Sequence, residues 1–250
     1  MSMRTLPTEF ADLLSKKGRR ILDRGLPDAS EIFSHPRLGE AAIVVLPGAI
    51  EPEKARATRA LLDGALHETL RAIRSPIPPE AITGMRRNYS EKLPKTLRLR
   101  TAYFKSRSSA SYRAAASIGL LTTMRSESFS AFAAAATGLP LETGHSIQVI
   151  EYQAGDHSGP HTDHHPESPN ARHGFIDLHV MLSNEAVAHQ WLVCERGGYL
   201  AESYDIATDG TIAVYRLPFW HYTTPLAARK GREAEARRWL LLGTFDIERG

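Results

Sequence analysis

Cysteine is almost missing from this 250-residue chain. Cys194 stands alone, so no disulfide can form within the chain, and a reducing, cytoplasmic setting is expected. Long apolar runs are missing as well. The longest candidate, Ala41 to Leu46, is strand-sized, far short of the ~20 residues that a membrane-spanning helix needs, so no membrane partner is expected. The N-terminus has no apolar stretch leading to a small-residue cleavage site, and no secretory signal is expected. Charge of one sign is scarce: 31 Lys and Arg stand against 28 Asp and Glu, a formal net charge of +3. The short basic runs Lys16–Arg20 and Arg98–Lys105 do not sit among aromatic residues in a way that suggests base stacking, so they read as solvated faces and no nucleic-acid partner is expected. Internal repeats and low-complexity linkers are also absent, which favours one domain.

What the chain has in plenty is histidine. There are eleven, and six of them fall between His145 and His173. One stretch among them, Glu151–Asp163, EYQAGDHSGPHTD, ends in an H-x-D triplet. In extended backbone positions i and i+2 share a side, so His161 and Asp163 can face one point. An imidazole and a carboxylate so placed are two-thirds of a 2-His-1-carboxylate set, which suits a divalent metal such as non-haem Fe(II) and leaves coordination positions open.

Helices are expected mainly in the N-terminal half. Phe10 to Leu22 reads as a short helix with Leu13, Leu14 and Leu22 inward. Ala41–Leu46 reads as a buried strand closed by Pro47-Gly48. A helix opens at Glu51-Pro52-Glu53, with proline in its first turn and acids at the positive end of its dipole. Its stripe of Leu61, Leu62, Ala65, Leu66, Thr69, Leu70 and Ile73 runs to the Ser75–Pro79 stop. Residues 80–107 read as irregular, Arg-rich and a substrate-side lid, with Tyr89 and Tyr103 as buried or pocket-lining aromatics. Two helices follow, Ser109–Leu121 and Ser126–Thr137, the second ended by Gly138.

From Gly144 the texture changes. Short apolar runs at 147–152, 175–182, 191–194, 199–204, 211–216, 219–223 and 239–245 alternate with turn residues. So many short strands in about 100 residues imply a closed barrel or a double-sheet jelly roll. The expected fold is α+β with a mostly β core: a double-stranded β-helix (jelly-roll) barrel flanked by N-terminal helices. The expected division is an N-terminal arm over 1–40 and a single domain over 41–250, with helical support at 51–138 and the jelly-roll core at 144–246.

Several histidines compete for the third ligand position. His157, His161 and His165 are spaced by four, but Gly155, Gly159 and Pro160 argue against a helix there. His164 would point away from its neighbour Asp163, and His173, His179 and His189 read as loop or strand-surface residues. His221 lies on a late strand, and in a jelly roll late strands can meet early ones across the barrel. Beyond it, Arg238 enters the apolar strand 239–245. A buried guanidinium is costly unless paired, and its geometry suits bidentate capture of a carboxylate.

Taken together, these features resemble the 2-oxoglutarate/Fe(II)-dependent dioxygenases, in particular the prolyl-4-hydroxylase-like branch. The residues that carry the resemblance are Tyr152, Gly155, His161 and Asp163; Gly197-Gly198 before a strand; His221 with Pro225 four residues on; and Arg238 opening a last strand that ends in Phe245. The opening Val44–Ile50 with its acidic helix start is also similar, so the likeness covers about residues 41–246. One departure is a longer span from His221 to Arg238, through an insertion around 227–236. It makes Arg232 and Arg237 alternatives to Arg238, which is preferred because it stands in register with the last strand.

The resemblance implies a 2-oxoglutarate/Fe(II) oxygenase domain. His161, Asp163 and His221 would hold Fe(II), and the far carboxylate of 2-oxoglutarate would rest on Arg238. Tyr152 would bond that same carboxylate, or would be a barrel-core tyrosine. With O2 as second cosubstrate, the reaction would hydroxylate a C–H bond of an amino acid, a peptide or protein side chain, or a small metabolite, releasing succinate and CO2. The alternatives are a zinc-dependent hydrolase on the same triad and a non-catalytic cupin-like binding module. The residues that choose a substrate are expected in loops 80–107, 164–174 and 184–190.

Overall fold

The computed structural model describes residues 4–34, 41–79, 94–163 and 174–248. Its helices lie before the β-rich half. A 3-10 turn, Phe10–Leu13, leads into α1 (Lys16–Arg24), then α2 (Ala29–Ser34) and α3 (Pro52–Ala65). After the first strands come α4 (Ala110–Ser117), α5 (Leu120–Met124) and α6 (Glu127–Thr137). Local chemistry sets their ends. Ser15 and Ser109 accept N-terminal backbone N–H groups, from Gly18 and Tyr112. Gly138 closes α6 in the left-handed conformation, at φ 66°.

The strands among the described residues are β1 (Ala42–Leu46), β2 (Arg71–Pro76), β3 (Thr96–Tyr103), β4 (Ser146–Gln153), β5 (His157–Ser158), β6 (Phe175–Ser183), β7 (Val187–His189), β8 (Trp191–Arg196), β9 (Tyr199–Asp205), β10 (Thr211–Leu217), β11 (His221–Thr223), β12 (Ala227–Ala228) and β13 (Arg237–Asp246). The major sheet is antiparallel, in the order β1-β10-β6-β13-β4-β3-β2, with β5 paired to β3. A smaller sheet, β11-β8-β9, lies across from it, and residues of both sheets line one cavity. The result is a curled, jelly-roll half-barrel with helices on its outer face.

Alternation decides what each face carries. On β13, Trp239, Leu241 and Phe245 pack outward against the helices, while Arg238, Leu240 and Leu242 point into the cavity. On β6, Ile176, Leu178, Val180 and Leu182 pack outward, and Asp177, His179 and Met181 point inward. Both faces of β6 are covered, so every residue from Phe175 to Ser183 is buried. The outer core gathers Phe129, Phe132 and Phe245 from the helices and the sheet together with Leu6, Phe10, Leu13, Leu14, Ile21 and Phe33. The N-terminal segment thus shares its core with the sheet.

Several local expectations need correction. Phe10–Leu22 is not one helix: Ser15 caps a new start, so a 3-10 turn and α1 divide the segment. The helix opened at Pro52 stops at Ala65, and Ile73 belongs to β2, whose residues pair with β3. Its helical spacing beyond Ala65 is accidental, because Arg71–Pro76 also alternates at a sheet edge. Residues 96–103, expected to be irregular, form β3. The 109–121 helix breaks at Gly119, which stands at φ 78°; a Cβ there would lie 3.1 Å from the Leu6 carbonyl oxygen. The 80–93 part of the expected lid, including Tyr89, lies outside the described residues. So do His164, His165 and His173.

Candidate active site

The H-x-D stretch leaves the edge of the major sheet just after β5. Gly159 is needed there for close approach: a Cβ on it would stand 2.0 Å from the Pro94 carbonyl oxygen. Its N–H donates to Thr96 O at 2.9 Å, which holds the turn against β3. Two residues on, His161 forms an isolated antiparallel bridge with His221 of the smaller sheet. His161 N–H donates to His221 O at 3.0 Å, and His221 N–H donates to His161 O at 3.1 Å. These paired backbone bonds fix two imidazoles side by side, with ring centroids 4.6 Å apart.

Asp163 completes the group. His161 Nε2 is 3.1 Å from Asp163 Oδ1, and His221 Nε2 is 3.2 Å from Oδ2. Ligand-type atoms of all three residues lie within 4.8 Å of one another. The other ring nitrogens face carbonyls: His161 Nδ1 is 2.6 Å from Gly159 O, and His221 Nδ1 is 3.1 Å from Phe219 O. A carbonyl only accepts, so each Nδ1 must carry its proton. In the neutral imidazoles both Nε2 lone pairs then point at a carboxylate, which also only accepts. Two lone pairs and an anion converging on one point are stabilised by a cation, and contacts from the far ring nitrogen to carbonyls are what orients metal-binding histidines.

The protons respond to the same arrangement. Burial works against a charged His161, but the hydrogen-bonded Asp163 carboxylate outweighs it and its pKa is raised. Burial would raise the pKa of Asp163, yet His221 and His161 hold it well below the usual carboxylate range. A divalent ion would take over this role from the His161 proton. The donor set therefore fits a metal of the non-haem Fe(II) kind, with three protein ligands and remaining positions open.

Deeper in the same cavity lies Arg238, 1% exposed. Its Nε donates to Ile206 O at 2.8 Å and Nη1 donates to Gln190 Oε1 at 3.1 Å. Its guanidinium carbon stands 4.9 Å from the centroid of the Tyr152 ring. Among the described residues no carboxylate forms an ion pair with it, though Asp205 acts on it at longer range. Burial lowers its pKa, while the neighbouring Tyr152 works the other way. Tyr152 is 3% exposed, and its hydroxyl is 3.2 Å from Ser158 Oγ.

The alternative arginines lie elsewhere. Arg237 sits on the outer face of β13, with Nε 2.8 Å from Glu151 Oε1 and Nη1 3.2 Å from Asp63 Oδ1. Arg232 pairs with Glu235 of its own turn at 2.7 Å and does not line the cavity.

The remaining histidines divide in an informative way. His157 is held between Gly155 O and Thr96 Oγ1 and takes no part in the triad. His189 is exposed. His179, expected on a strand surface, is instead buried and faces the cavity, with Nδ1 2.8 Å from Tyr215 Oη. Asp177 sits two residues earlier on the same strand and the same side. Sequence reasoning missed this second polar group, although the alternation Asp177, His179, Met181 within an apolar run was the available signal.

The chain has the jelly-roll fold seen in the 2-oxoglutarate/Fe(II) oxygenases. Solved structures carry the comparison. A prolyl-4-hydroxylase from Pseudomonas putida matches with 13% identity and a TM-score of 0.50, covering 93% of this chain and 100% of that one. An oxidoreductase of the 2OG-Fe(II) oxygenase family from Burkholderia pseudomallei matches with 13% identity and a TM-score of 0.52, covering 84% and 86%. No protein-family model and no curated protein sequence matches the chain.

Proposed function

We propose that the protein is a 2-oxoglutarate- and Fe(II)-dependent dioxygenase that hydroxylates a C–H bond of an amino acid, a peptide or protein side chain, or a small metabolite. The observation that carries this reading is the joint placement of two features in one cavity. One is a His-Asp-His set able to hold a metal ion; the other is a buried guanidinium that forms no ion pair with a carboxylate among the described residues. A zinc hydrolase has use for the first but none for the second, and a binding module would not require either to remain intact.

In this reading His161, Asp163 and His221 hold the iron. When bound, iron and 2-oxoglutarate supply the oxidation, with O2 as oxidant and succinate and CO2 as products. The chain itself supplies position and exclusion. The carbonyls of Gly159 and Phe219 keep both Nδ1 protons in place, so that Nε2 is the ligand atom. Arg238 takes the far carboxylate of 2-oxoglutarate, a charge-assisted contact that fixes how the molecule lies. Tyr152 and Leu240 wall that end, and their apolar surfaces keep water from competing. The decisive assay is Fe(II)-dependent succinate formation from 2-oxoglutarate. Turnover should vanish in Asp163→Ala; undiminished turnover would refute the assignment.

A further inference from the structure

The opposite half of the cavity holds a charge that the proposed reaction does not use. Asp177, on β6, is 2% exposed and lines the cavity. Its Oδ1 has no hydrogen-bond partner among the described residues. Its ion-pair contact among them is Oδ2 to His179 Nε2, at 3.6 Å, well beyond the about 2.7–2.9 Å of a charge-assisted bond. His179 is engaged elsewhere: Tyr215 Oη is 2.8 Å from its ring nitrogens. Tyr215 stands directly opposite Asp177 in the β10–β6 register, with its ring centroid 6.1 Å from that of His221. The carboxylate therefore sits beside the candidate metal centre, separated from it by a phenol.

Charge narrows what this carboxylate can accept. With a divalent metal and 2-oxoglutarate in place, the formal charges of metal, Asp163, cosubstrate and Arg238 cancel. Asp177 is then left over, at an end of the cavity lined by Leu242, Gln148 and Tyr103 beside His179. A buried carboxylate without a hydrogen-bonded counter-charge is costly. A neutral or anionic substrate would leave that cost in place; an ammonium would remove it.

We propose that Asp177 is the substrate-recognition carboxylate and that the substrate is an aliphatic amine, bound as its ammonium ion with the carbon chain against Leu242. This rests on the oxygenase reading for what happens to that substrate, but not for the binding itself. It narrows the open substrate classes to amine-bearing molecules, whether free or on a side chain.

The test is calorimetric titration of n-pentylammonium, 1-pentanol and pentanoate into protein saturated with Mn(II) and 2-oxoglutarate. Pentylammonium should bind about tenfold or more tightly than the alcohol, and pentanoate more weakly still. Asp177→Asn should erase the preference and leave metal and 2-oxoglutarate affinities unchanged, whereas Asp177→Glu should retain it. Equal binding of pentylammonium and pentanol to the wild type, or unchanged preference in Asp177→Asn, would overturn the proposal. The wild-type comparison decides even if the Asn variant fails to fold. Should Mn(II) or 2-oxoglutarate not bind, the oxygenase reading fails, and the same titrations on metal-free protein still decide whether Asp177 selects the amine.

Discussion

At the scale of the single residue, Arg238 gives the sharpest distinction between a structural and a functional role. It donates to Ile206 O and Gln190 Oε1 but carries a buried charge that forms no ion pair with a carboxylate among the described residues. Replacement by methionine keeps most of the volume. It removes the buried charge, which favours the ligand-free fold, and it leaves two acceptors unsatisfied, which disfavours it. These opposing terms are each of order 1–3 kcal/mol, so stability should move by no more than about 2 kcal/mol either way. Binding should respond very differently. Loss of a buried guanidinium from a carboxylate site costs about 2–5 kcal/mol. Arg238→Met is therefore expected to weaken 2-oxoglutarate binding by about thirtyfold or more, with little change in urea midpoint. Arg232→Ala, away from the cavity, should leave both unchanged. A variant pair with the reverse pattern would place the anchor in the insertion instead.

At the scale of elements, β13 and α6 are joined through Gly243. A Cβ there would stand 2.5 Å from Phe129 Cε1 and 3.2 Å from Phe245 Cε2. Both rings belong to the packed outer core and have little room to yield. Gly243→Ala should cost about 1–3 kcal/mol of stability, read as a lower urea midpoint, and should leave 2-oxoglutarate affinity unaffected because the residue faces away from the cavity. The same join carries a pH dependence. His145 stacks on Phe245 with centroids 4.4 Å apart, and its Nε2 is 2.7 Å from Met124 O. Burial lowers its pKa below the ordinary value near 6.5. The unfolded chain then takes up a proton before the folded chain does. Stability from this residue is complete above about pH 6.5 and declines as the pH falls through the lowered folded value. The stability gap between wild type and His145→Gln should thus narrow between about pH 7.5 and pH 5.5, as measured by chemical denaturation at both.

Legibility in the sequence also divides by element. β13 and β4 could be read because each presents a short apolar run of strand length. The outward and inward sets of β13 follow from the alternation of side chains along a strand, and with them the side on which Arg238 stands. β2 was hidden because Arg71–Pro76 is a polar edge strand that continues the helical spacing of α3 by accident. β3 was hidden by its arginines: Arg98 and Arg100 face solvent and ion partners while Leu97, Leu99 and Thr101 face the cavity. Asp177 and His179 escaped because β6 is covered on both faces. A strand so buried shows no polar face, so its two polar side chains looked incidental. The H-x-D and His221 could be placed together only through the order of a jelly roll, since four strands of the barrel and their turns lie between β6 and the His221 end of the His161–His221 bridge.

For the whole molecule, that separation has a thermodynamic consequence. Asp163, His221 and Arg238 come from the sheet-edge turn, the smaller sheet and the major sheet, so their grouping exists only in the folded chain. Ligands of the cavity therefore bind the native state and stabilise it by mass action. At a hundredfold excess over Kd each contributes about 2.7 kcal/mol. For a chain of this size that is a rise of about 5–10 °C in Tm. Mn(II) alone should give one increment and Mn(II) with 2-oxoglutarate a second. On the proposed assignment Asp163→Ala should lose both, and Arg238→Met should keep the first and lose most of the second. Acid should reverse the metal increment, since protons compete for His161, His221 and Asp163, while leaving Arg238 charged. If 2-oxoglutarate raised Tm equally in Arg238→Met, or Mn(II) did so equally in Asp163→Ala, the stabilisation would come from sites outside this cavity. The three segments would then be neighbours by folding alone, without a shared ligand to account for their convergence.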